Sequence, residues 1–279
     1  MYEIPVLTIG YSNVRVGFLA SKGRPKYTIF KFMIEHEHFS KAKMHADIHE
    51  HGCSVIMVSP TDYMPSFAYT VGLWQNYQHP EVIMFGLPVD TMHVLLNNAA
   101  DLVKSGSKLG LKQEYSDFFE RGTARFIGVD ARNVPDYFEI AIDHYGNDMF
   151  PAIQLLWADA QNIFPWQKEY DERLKFLQPL LDRNTEFKFL EDEFLGVYTT
   201  RQWLELKQPI LRVVHDTEGD WQFLTGDQQP EDIRLVCLKD IIQSDFSLNQ
   251  LFNLDFGMFA DRTSPTSPWI RNQNNKVEE

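Results

Sequence analysis

The sequence predicts an α+β protein: an N-terminal domain with a mostly antiparallel sheet flanked by helices, then a small C-terminal α+β domain. Three observations carry this. Between Pro65 and Leu87 lie two short apolar runs, Ser66–Leu73 and Glu81–Leu87, rich in Val, Ile, Tyr and Phe and bounded by Pro and Gly, as buried strands are. Met92, Leu95, Leu96, Ala99, Leu102 and Val103 recur at helical spacing. Ile210–Val214 and Asp220–Thr225 flank His215-Asp216-Thr217-Glu218-Gly219, a hairpin turn by its residue types.

Composition limits the function classes. The 279 residues, 44% apolar and 14% aromatic, can bury a sizeable core, and about 150 residues per domain suggests two. The net charge of −13, from 39 acidic and 26 basic residues, argues against a nucleic-acid partner and suits either solubility or a basic protein partner. Without an apolar run of spanning length or a signal-like start, the reading is cytoplasmic, with no membrane partner. Cys53 and Cys237, far apart and without metal-ligand spacing, read as buried thiols.

In chain order, loose alternation across residues 1–34 suggests N-terminal strands packed on the first domain, taken as residues 1–40. Ser40 is placed to cap a helix over about 40–51 that stops at Gly52. Cys53 to Ser59 is a strand by its β-branched density. The two runs of the Pro65–Leu87 stretch follow, joined by a loop, and then the striped helix, ended by Ser105-Gly106. Tyr115 to Glu120 reads as a short helix or turn and Ala124–Val129 as a strand. Pro135 to Tyr145 reads as an amphipathic helix with Pro in its first turn, Ala152–Trp157 as a buried strand, and Asp171 to Leu181 as a helix. The first domain is thus 41–182, a charge-rich linker 183–196 follows, and the second domain is 197–279. There Ile233–Leu238 is a third strand, Leu238 to Phe252 holds two short capped helical pieces, and the tail after Trp269 is loose.

Candidate chemistry gathers at strand ends of the first domain: Tyr69, Thr70, Trp74, His79, Glu81, Trp157, Asp159 and Trp166. These groups are costly to bury, a buried carboxyl needs a partner or a raised pKa, and His79 could be that partner or a general base. Each also has a structural alternative: Pro80-Glu81 as turn and cap, Asp159 as acceptor for its own loop, Phe164-Pro165-Trp166 as a packed lid. Five of the nine histidines, His36, His38, His45, His49 and His51, fall close together, yet no HExxH or Cys pair accompanies them, so a solvated helix face is preferred to a metal. GxSxG, GxxxxGK[ST] and GxGxxG are absent, and no cofactor is assigned.

Several blocks occur in order: Asp47-Ile48-x-x-x-Gly52, Pro65-x-Phe67-Ala68-Tyr69-Thr70-Val71-Gly72-Leu73, His79-Pro80-Glu81, Gly86-Leu87, Gln154-Leu155-x-Trp157-x-Asp159 and Phe164-Pro165-Trp166. Over about residues 41–182 they resemble the bacterial domain-of-unknown-function family 4262, a resemblance that marks a domain more than an activity. The C-terminal stretch His215-Asp216-x-x-Gly219-Asp220-Trp221-Gln222-Phe223-Leu224, with Gly226-Asp227, Val236-x-Leu238, Asp245-x-Ser247-Leu248 and Ala260-x-Arg262, resembles the immunity-protein 33-like group. That implies an immunity protein that neutralises a toxin by direct contact, with Asp216, Asp220, Trp221 and Asp227 as candidate partner surface and a basic toxin as partner. The order of strands and helix in the first domain is also similar to the flavin-binding split barrel, although Trp74–Gln78 has no Arg or Lys for a flavin phosphate. The alternative function is therefore a small-molecule enzyme or sensor with a split-barrel-like, flavin-related pocket.

Overall fold

The computed structural model describes residues 40–111, 113–183 and 185–273. The strands expected within residues 1–34 lie outside the described residues. The described residues form two compact units, one within residues 40–59 and 65–183, the other within residues 60–64 and 185–273.

The first unit runs α1 (Lys41–His51), β1 (Ser54–Val58), β2 (Phe67–Val71), α2 (Leu73–Tyr77), β3 (Glu81–Phe85), α3 (Val89–Lys104), β4 (Glu114–Tyr115), β5 (Ala124–Gly128), α4 (Val134–Tyr137), α5 (Glu139–Tyr145) and β6 (Ala152–Trp157). The sheet order is β1-β2-β3-β6-β5-β4. Every pairing is antiparallel except β3 with β6. The sheet is open, not closed into a split barrel. Strands β2 and β3 are buried along their whole length because both faces are covered. On one face α3 packs Met92, Leu95, Leu96, Ala99 and Val103 against Ala68, Val82, Met84, Phe126 and Leu155. On the other, Phe67 and Phe85 meet the Tyr137 ring edge-on at 5.6 and 5.2 Å, and Tyr69 packs on Phe138.

Several local expectations need correction. The Trp74–Gln78 loop is the helix α2, opened at Gly72. The helix expected over Pro135 to Tyr145 breaks at Phe138, and the Tyr69 hydroxyl accepts the Ile140 N–H at 3.2 Å beside the break. The helix expected from Asp171 to Leu181 is a single 3-10 turn, Glu172–Leu174. Isolated turns continue to Gln178, and Pro179, which lacks an N–H, excludes a helix reaching Leu181. Two amides hold the segment instead. Gln178 donates to the Trp157 carbonyl and accepts its N–H, while Gln154 accepts the Leu181 N–H and donates to the Pro179 carbonyl.

The second unit contains β7 (Gly196–Thr200), α6 (Arg201–Leu206), β8 (Arg212–His215), β9 (Trp221–Leu224), β10 (Ile233–Cys237), α7 (Leu238–Ser244), β11 (Met258–Asp261) and β12 (Ile270–Gln273). Its sheet order is β10-β7-β9-β8-β11-β12, antiparallel except β7 with β9. Of the tail expected to be loose after Trp269, residues 270–273 form β12, whose Arg271 donates to Asn253 Oδ1 at 2.7 Å, and residues 274–279 lie outside the described residues. Residues expected as a linker also pack within this unit: Phe189 is buried and Asn249 bonds both the Lys188 N–H and the Glu186 carbonyl. A guanidinium with no exposed side-chain surface, Arg262, joins Asp245, Ser247 and the Ile210 carbonyl, and its charge lies over the Trp269 ring.

Gly86 gives the clearest backbone test. It sits at φ +77°, and a Cβ there would lie 2.4 Å from the Leu177 carbonyl oxygen. We predict that Gly86→Ala lowers stability by more than about 1 kcal/mol, since both the positive φ and the contact oppose a side chain. A denaturant midpoint equal to wild type would contradict this.

Candidate functional site

The Glu81 carboxyl at the start of β3 is the centre of the first unit's polar cluster, and it is fully buried. Thr70 on β2 donates its hydroxyl to Oε2 at 2.6 Å while accepting the Val82 N–H. The Gly72 and Trp74 amides, at the opening of α2, each donate to Oε1 at 3.0 Å, and the Tyr145 hydroxyl at the end of α5 donates at 2.5 Å. The carboxyl thus caps α2, where exposed amides and the helix dipole favour negative charge. Gly72 makes this possible at φ +114°. Burial pushes the Glu81 pKa up, opposed by these four donors, and the Tyr145 phenol is raised by its own burial and by Glu81.

The eight candidate residues do not share one pocket. Thr70, Glu81 and the Trp74 backbone form this network. Tyr69 serves α5, as described. His79 donates Nδ1 to the Pro80 carbonyl at 2.7 Å, and burial lowers its pKa. The Trp157 indole donates to the Phe85 carbonyl at 2.8 Å. Asp159 accepts the Gln161 and Ile163 amides of its own loop, both at 2.9 Å. Trp166 is on the surface, stacked on Phe164, with the Arg125 guanidinium over both rings. Tyr145, the missing member of the Glu81 network, carries no signal in sequence beyond its place before Gly146.

A separate cleft of about 500 Å3 opens between α1, the edge strand β1 and α3. Lys43, Asp47, His51, His93, Asn97 and Lys104 line it, and none of the eight candidates does. Cys53 at its base has its thiol pushed up to about 11 by burial, which suits an unreactive thiol. Of the histidine cluster, His36 and His38 lie outside the described residues, and His45 packs against His144 with ring centroids 5.4 Å apart. Among the described residues no group of three or more His, Cys, Asp or Glu is placed to hold a metal.

In the second unit Trp221 is a core residue, 1% exposed, and not part of a partner surface. Its ring stacks on His215 at 3.9 Å and its indole donates to Glu191 at 2.6 Å. Tyr63 donates to the same carboxyl at 2.8 Å. Burial raises Glu191 and lowers His215, which donates Nδ1 to the Leu254 carbonyl. The three aspartates separate as well. Asp216 and Asp220 belong to the β8–β9 turn, where Asp216 Oδ1 accepts the Glu218 and Asp220 amides at 2.9 and 3.0 Å. Asp227 lies beyond the opposite end of β9, bonded to Thr225.

Compared with known proteins, the part of the chain holding the Glu81 network matches a family. Residues 47–171 match the family described as Domain of unknown function (DUF4262). No curated protein matches the chain, and neither does any solved structure. The DUF4262 match spans most of the open sheet's elements, including Glu81, Tyr145 and Asp159, and ends before residue 184, where the longer segment of the second unit begins. Among the described residues no helix is long and apolar enough to cross a membrane.

The Glu81 network gives two predictions. Glu81→Leu orphans four donors and is expected to cost about 3–5 kcal/mol, as loss of one member of a buried charged set does. Glu81→Gln retains an acceptor and removes the titration. Because the folded pKa is raised, wild type draws stability from this group below about pH 4.3, the ordinary glutamate value, and loses it as pH rises through the folded value. The advantage of wild type over the Gln variant should therefore shrink with rising pH in paired denaturation curves; an advantage growing with pH would contradict the assignment.

Proposed function

We propose that the chain is a protein-binding protein of the immunity kind, neutralising a basic toxin by direct contact through its second unit. The observation that supports this most is the β8–β9 turn. Asp216 holds its loop by two backbone hydrogen bonds, while Glu218 and Asp220 are exposed at the tip. Residues 184–279 carry 17 acidic against 9 basic residues, which accounts for 8 of the 13 excess negative charges. A fixed acidic tip on an acidic unit favours a basic protein surface, by steering encounter and by pairing charges whose positions cost little to fix. The resemblance of this stretch to immunity proteins points the same way, as an analogy.

A second reading, small-molecule binding, is favoured by the cleft between α1, β1 and α3, whose volume suits a ligand. Its flavin-related form rested on a split barrel, and the open sheet with α2 in place of the phosphate loop removes that basis. Native mass spectrometry of the purified chain separates the readings: a retained small molecule supports the second, and the bare chain mass counts against it.

The first reading is tested by sequencing the neighbouring genes and co-expressing the chain with any basic toxin found there. Wild type should restore growth. The double variant Glu218→Lys, Asp220→Lys should bind that toxin at least about tenfold more weakly, consistent with about 1.4 kcal/mol or more from charge reversal. Absence of protection by wild type would overturn the reading.

A further inference from the structure

Strand β10 is an edge of the second sheet, and among the described residues it pairs only with β7. The register sets Leu235 opposite Tyr198, and these side chains are 68% and 39% exposed. Ile233 lies on the same face, two residues from Leu235, and is 36% exposed. Edge strands are usually guarded against pairing by Pro, a bulge or several charges. The only charged residue in β10 is Arg234, and its guanidinium donates to the carbonyls of Glu231 and Ile233 in its own chain.

We propose that this edge pairs with a second copy of the chain, the two β10 strands running antiparallel about a two-fold axis at Leu235. The sequence is self-complementary in that register. Leu235 faces its own copy, Ile233 faces Cys237 of the second copy, and Glu231 comes to the same end as Lys239 of the second copy, each four residues from the axis. Opposite charges therefore flank the apolar ladder from outside β10, Glu231 in the 3-10 turn before it and Lys239, which also pairs with Glu193 of its own chain, at the start of α7. Cross-strand pairs stabilise such a ladder, and the symmetry repeats every pair except the Leu235 pair on the axis. The net charge of −13 on each copy opposes association, but beyond about 8 Å it is screened at physiological salt, so the local pairs decide. Arg234 releases the Ile233 carbonyl to the incoming strand. The β8–β9 turn lies on different strands, so pairing through β10 is independent of the toxin-binding reading.

Sedimentation of the full chain tests the pairing. At about 100 μM wild type should sediment at twice the chain mass of 32.6 kDa. Leu235→Asp should be monomeric with an unchanged circular dichroism spectrum, and Glu231→Lys, which sets like charges at both ends, should raise the dissociation constant about tenfold. In a Cys237→Ser background, Leu235→Cys should form a disulfide-linked dimer on mild oxidation, while Ile270→Cys on β12 should not. A monomeric wild type, or a dimer that survives Leu235→Asp without the Leu235→Cys cross-link, overturns the proposal.

Discussion

The buried carboxyl of Glu81 is the interaction on which the first unit depends. It is taken wholly out of water at the first residue of a core strand, and the groups that compensate it come from β2, the start of α2 and the end of α5. None of these is a cation. A carboxyl held by neutral donors needs several of them in fixed positions, because each is individually modest and an orphaned one is costly. That requirement explains the left-handed Gly72, the short helix where a loop was expected, and the inward Tyr145. It also argues against catalysis at Glu81, whose lone pairs serve to join elements of the fold.

The second unit uses the same device. Glu191 is buried with Tyr63 and Trp221 as donors, and Trp221 in turn stacks on His215. Tyr63 reaches this carboxyl because the chain contributes residues 60–64 to the second unit between two strands of the first. The block His215 to Leu224 is therefore a core-forming signature, with its acidic turn as the exposed portion. Where this unit does bury a charge pair, Asp245 with Arg262, additional carbonyl and hydroxyl partners complete the guanidinium, as such pairs require.

Periodicity made β1, β2, β3, β5, β6, β8, β9, β10 and α3 legible, but not β4, β7, β11 or β12. Short β-branched runs and a long apolar stripe depend on local burial, which sequence records directly. The α+β class follows from that. The failures have identifiable causes. The Asp171 to Leu181 segment kept a helical spacing of leucines, but Pro179 and two glutamine side chains decided its course. Residues 74–78 look polar and loop-like because the cap of α2 comes from Glu81, which follows the helix in sequence. The candidate site was legible as a set of residues costly to bury, and Thr70 with Glu81 do meet. Which of the rest would join them depended on strand register: Trp157 instead bonds the Phe85 carbonyl of β3, Asp159 holds its own loop, and Trp166 stacks on Phe164 at the surface. In the second unit, Trp221 stands in the partner surface that the immunity-protein resemblance implies, yet alternation along β9 turns it inward.

The functional reading follows from this division. The first unit spends its polar cluster on internal order, and the second exposes a fixed acidic turn. The central claim is that Glu81 is a buried carboxyl organised by neutral donors, and side-chain carboxyl carbon-13 resonances followed against pH test it most directly. The account predicts that the Glu81 resonance titrates above the ordinary glutamate range, with the Gly72 and Trp74 amide shifts moving in the same transition. Titration at the ordinary value, without any response from those amides, would contradict it.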